Sequence, residues 1–265
     1  MFFPASTALA VPAALPLDVT TTLGTFWSSI DDTGDTTTGA AFSGNCGGGP
    51  GFNITDATSA GGSNDAYDDA WGIWVDGVAF SSGPNVDLDA TGRIVTAGPV
   101  AMSGLDVTHQ YAFADDLEVA RILSAFHNPT GAPISITVEV PVNFGSDGGT
   151  QADGTSSGDA VFDMNDRWAV TSDGGPSDGV NTTVFYGPDS PSVVPTSVTQ
   201  TVFTCFGTEG IGATFDLTIP AGETSSVMFF AGLGSIDNSA TNDIGTALVQ
   251  AAAIWDAEQS LRTPA

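Results

Sequence analysis

The sequence contains no lysine. Its basic residues are the four arginines Arg93, Arg121, Arg167 and Arg262, set against 31 Asp and Glu for a formal net charge of -27. That charge repels phosphate backbones and anionic headgroups, which excludes nucleic-acid binding and attachment to a lipid surface. Without lysine there is also no Walker-type phosphate loop. No apolar run approaches the ~18 residues of a membrane span, so no membrane insertion is expected. Histidine is scarce, at His109 and His127 alone, and the two cysteines form no CxxC, which leaves no legible zinc site.

What the chain has in quantity is hydrophobic residues, 41% of 265, together with 33 glycines and many aspartates in Ser and Thr settings. The first supply a core, and the second are turn chemistry, because Asp bonds its own backbone and tolerates tight turns. Runs of alternating character recur between those turns, among them 93 to 104, 107 to 114, 118 to 128, 133 to 144, 212 to 220 and 224 to 234. Shorter runs stand at 72 to 80, 167 to 173, 181 to 187 and 197 to 206. The expected fold is all-β, an antiparallel β-sandwich, with super-sandwich character as an option. One helix is expected at about 241 to 261, burying Ile244, Leu248, Ala251 and Trp255. Residues 28 to 70 read as long loops or irregular strands carrying Cys46, and residues 11 to 265 as one domain.

Ala8-Leu9-Ala10 has the small-x-small form of a signal-peptidase site, so residues 1 to 10 read as a signal-peptide remnant and the protein as secreted or surface-exposed. In that setting Cys46 and Cys205 would form one disulfide closing a long loop, adding about 4 to 5 kcal/mol. The alternative is two buried thiols. Asn53 and Asn181 head glycosylation sequons.

Calcium is the metal that the oxygen-rich turns would suit, with Asp87 and Asp89 in one group and Asp147, Asp153, Asp159 and Asp163 in another. No other cofactor is expected. Tyr67, Trp71 and Trp74 are a candidate aromatic platform for sugar. Catalysis has weaker signals. Gly154 to Gly158 match GxSxG, but no helix follows to make a nucleophile elbow. If their strands are antiparallel neighbours, His109 and His127 would approach each other and a carboxylate such as Glu118, as proton transfer needs. No catalytic residue is assigned, and the reading leans away from an enzyme.

The stretches SGLDVTHQYAF, VARILSAFHNPTGAPISITVEV, NFGSDGGTQ, TSSGDAVFDMNDRWAVTSD and IPAGETSSVMFFAGLG resemble a type of secreted bacterial β domain found in large surface and extracellular proteins. NPTGAPISITVEV is also similar to strands of the super-sandwich domains of carbohydrate-active enzymes. Both likenesses imply a fold and an extracellular setting, and neither carries a functional residue. The expected function is a structural or adhesive protein of a cell surface, matrix or filament. It would self-associate, or bind extracellular proteins or glycans, with VPAALPLDVTTTLGTF as a strand given to a neighbour. The alternative is a carbohydrate-binding module or a polysaccharide-acting enzyme.

Overall fold

The alternating runs become strands that stack as two antiparallel sheets, with a smaller third sheet beside them and one helix on the outside. The computed structural model describes residues 10–32, 51–175, 178–185, 193–202, 209–234 and 240–261. In spatial order the first sheet holds β1 (Val11–Ala14), β7 (Asn85–Leu88), β8 (Ile94–Met102), β9 (Leu105–Phe113) and β10 (Val119–His127). It continues through β17 (Thr224–Leu233), β14 (Asn181–Val184), β13 (Trp168–Ser172) and β12 (Gln151–Thr155). The second sheet runs β15 (Ser197–Val202), β16 (Gly210–Ile219), β11 (Ile134–Asn143), β5 (Trp74–Val75) and β6 (Val78–Ala79). The third is β2 (Leu17–Thr20), β3 (Phe26–Asp31) and β4 (Asn53–Thr58). The expected all-β antiparallel sandwich with a C-terminal helix is the observed fold.

Period-two burial sets the core. On β9 Val107, His109, Tyr111 and Phe113 are buried, and on β10 Ala120, Ile122, Ser124 and Phe126 alternate with exposed or half-buried residues. Ile136, Val138, Val140 and Val142 of β11 meet them from the second sheet, with Phe215 and Leu217 of β16. A long segment then fills the space between, bringing Phe52, Tyr67, Trp71 and Phe80, each at most 1% exposed. Phe52 stacks on Tyr111 with ring centroids 5.0 Å apart, and Trp27 tilts against Phe113 at 5.1 Å.

The expected single strand over 72 to 80 is instead a tight hairpin, β5 and β6. Asp76 and Gly77 both sit at positive φ, 50° and 75°, which is the signature of a two-residue primed turn. Within residues 28 to 70, expected as long loops or irregular strands, lie the end of β3 and all of β4.

Helix α1 (Ala240–Leu261) lies on the outer face of the first sheet. Ala247 and Ala251 pack with Val170 and Val180, and Ile254 with Val119, Val184 and Phe230. The buried stripe is therefore 247, 251 and 254, with Ile244 and Leu248 half-buried beside it; the Trp255 side chain lies outside the described residues. No helix is long and apolar enough to cross a membrane. Residues 1 to 9, Cys46 and Cys205 also lie outside the described residues, and with them the signal-peptide and disulfide expectations.

Candidate functional site

The expected sites separate once their surroundings are known. Tyr67 and Trp71 are 0% exposed and offer no ring to a ligand; Tyr67 stacks on Trp27 at 6.4 Å and meets Trp71 edge-on. Trp74, on β5, is 8% exposed and packs with Ala79. The aromatic platform is thus corrected to core, because the segment carrying these rings threads between the sheets. Asn53 and Asn181 are likewise 0% exposed and bond Gly51 and Ala66 carbonyls, so neither is an accessible sequon.

The aspartates proposed for calcium sit on separate strands and turns. Asp87 lies on β7 opposite Pro12 and Thr96. Asp89 closes the β7–β8 turn, accepting from Thr91 Oγ1 and from the amides of Arg93 and Ile94, which hold its carboxyl below the usual range against the burial that raises it. Asp153 accepts from Ser172 Oγ at 2.6 Å, Asp159 from the Val161 amide and Asp163 from the Asn165 amide. Among the described residues no three His, Cys, Asp or Glu side chains are grouped to hold a metal ion.

The two histidines face opposite ways. His109 is fully buried, while His127, in register with Asp106 and Thr224, points outward to Thr224 Oγ1. A backbone carbonyl can only accept, so Nε2 of His109 must donate to Trp71 O, at 3.0 Å, and Nδ1 then accepts from Ser124 Oγ at 2.8 Å. Burial pushes this imidazole down to about 4, partly offset by the Trp71 carbonyl. It is a neutral core group sealed under Phe52 and Phe80 and not an acid or base open to substrate.

Asp147 joins a different group, with Asp56, Asp65, Asp68 and Asp69, at one end of the sandwich. Asp65, Asp69 and Asp147 all have positive φ, and Gly145 lets the loops touch: a Cβ there would lie 2.0 Å from Asp65 O. Desolvation first, then the charges of Asp65, Asp147, Asp69 and Asp56, push Asp68 up to about 6. A carboxyl raised in the fold stabilises it when protonated, and that contribution is lost as pH rises through about 6. Asp68→Asn is therefore expected to raise stability by about 1 kcal/mol at pH 7.5, after discounting for solvent exposure, and by nothing at pH 4. Urea unfolding at the two pH values measures it.

Two concave regions among the described residues bear on a ligand site. The larger, about 490 Å³, is an apolar groove between α1 and the β9–β10 turn, walled by Leu23, Leu117, Val249 and Ile254. The smaller, about 290 Å³, joins the end of β3 to the turns before β2 and β7, and is lined by Leu15, Pro16, Asp31, Asp32, Ser81, Gly83 and Pro84. Polar groups converge in the second. Asp32 Oδ2 accepts from Ser81 Oγ at 2.9 Å and from the Gly83 amide, whereas Asp32 Oδ1 is buried without a hydrogen-bond partner. Burial, reinforced by the charge of Asp31, outweighs those bonds and raises the Asp32 carboxyl. Neither aspartate stood out in the sequence, since about fifty residues separate them from Ser81 and Gly83 and no spacing links the two.

No family model and no curated protein matches the chain. Similar folds do occur among solved structures. One, from Klebsiella pneumoniae and named only provisionally as an aldose 1-epimerase, has 9% identity and a TM-score of 0.47 over 77% of this chain and 78% of its own. A galactose mutarotase-like protein from Lactobacillus casei has 10% identity and a TM-score of 0.40 over 68% and 93%. A polysaccharide lyase has 11% and 0.42 over 83% of this chain but only 35% of its own. At these values the likeness assigns no reaction and no residue. The expected structural or adhesive protein has no counterpart among these names, which are of aldose-, galactose- and polysaccharide-related proteins. The segment expected to be given to a neighbour pairs within its own fold, as β1 with β7 and as β2 with β3.

Proposed function

We propose that the protein binds carbohydrate in the Asp31–Asp32 cleft. The observation that carries this reading is a cleft of about 290 Å³ in which Asp31, Asp32 and Ser81 stand beside an apolar wall. Leu15, Pro16 and Pro84 supply the rest of the lining. A sugar ring matches that division, with hydroxyl donors on its rim and C–H groups on its face, and the volume suits one ring at the small end of ligand pockets. The net charge of -27 argues against sulfated or uronate-rich chains.

A glycan array read with the full chain tests this. Uncharged or amine-bearing glycans should give signal and sulfated ones none, and Asp32→Asn should weaken binding at least tenfold with its melting temperature held near wild type. Silence across the array, or binding indifferent to Asp32, would remove the proposal.

A further inference from the structure

We draw no further inference here: the strongest candidate, the apolar groove between α1 and the β9–β10 turn walled by Leu23, Leu117, Val249 and Ile254, has nothing in the structure to show what covers it.

Discussion

Replacing Trp71 by alanine is expected to remove about 4 kcal/mol of folding stability, the usual scale for deleting a fully buried aromatic side chain. Its ring is 0% exposed and packs edge-on against Tyr67. The backbone of the same residue is a fixture: its carbonyl accepts from both His109 Nε2 and Tyr111 Oη, at 3.0 and 3.1 Å, and its φ of 66° is rare for a bulky residue. Such a conformation persists only where its surroundings over-determine it. The ring and the carbonyl together lock the 51 to 80 segment between the sheets, so losing the ring loosens the plug that covers His109. Typical domains have 5 to 15 kcal/mol in all, and the variant should unfold at markedly lower urea. If Trp71→Ala instead kept its unfolding midpoint and lost glycan binding, the ring would be a ligand platform and not part of the core.

Much of the fold could be read from the chain because the strands of its second half alternate. LDVTHQYAF, VARILSAFH and ISITVEVPVN each bury one face, and period two is then a direct record of the sandwich. The first third fails that test for a physical reason. β3 and β4 are six residues each, rich in Ser, Thr and Asp, and β4 buries two adjacent residues at its start, so no period survives. The Asp76-Gly77 hairpin was legible in principle, since Asp-Gly between apolar residues is the strongest short-range hairpin signal. Trp71 and Trp74 were not, because a tryptophan among apolar neighbours reads the same whether it faces a core or a ligand. The cleft was hidden for a different reason: β3 and the Ser81–Pro84 turn meet only through the closure of the fold. The aspartates that did attract notice, such as Asp89 and Asp153, did so through their oxygen-rich context, which turns out to be satisfied by local amides and hydroxyls.

Acid should weaken the protein through His109. Its imidazole is held at about 4 in the fold against 6.5 when exposed, so the unfolded chain takes up a proton at a pH where the folded one does not. The stability contributed by the neutral ring is fully present above pH 6.5 and is lost as pH falls through about 4. The full difference corresponds to about 3 kcal/mol. The raised carboxyls Asp32, Asp56, Asp65 and Asp68 work in the opposite sense, gaining stability as they protonate, and would mask the effect in the wild type alone. A comparison with His109→Gln removes them, because both proteins carry the same aspartates. Glutamine keeps an N–H donor for the Trp71 carbonyl but does not titrate, and it should cost about 1 to 2 kcal/mol at pH 7 through lost packing on Phe52 and Phe80. As pH falls from 7 to 4, urea unfolding should show the wild type losing its advantage and the variant overtaking it. Parallel pH curves for the two proteins would show that His109 already charges freely in the fold, and that the plug over it admits water.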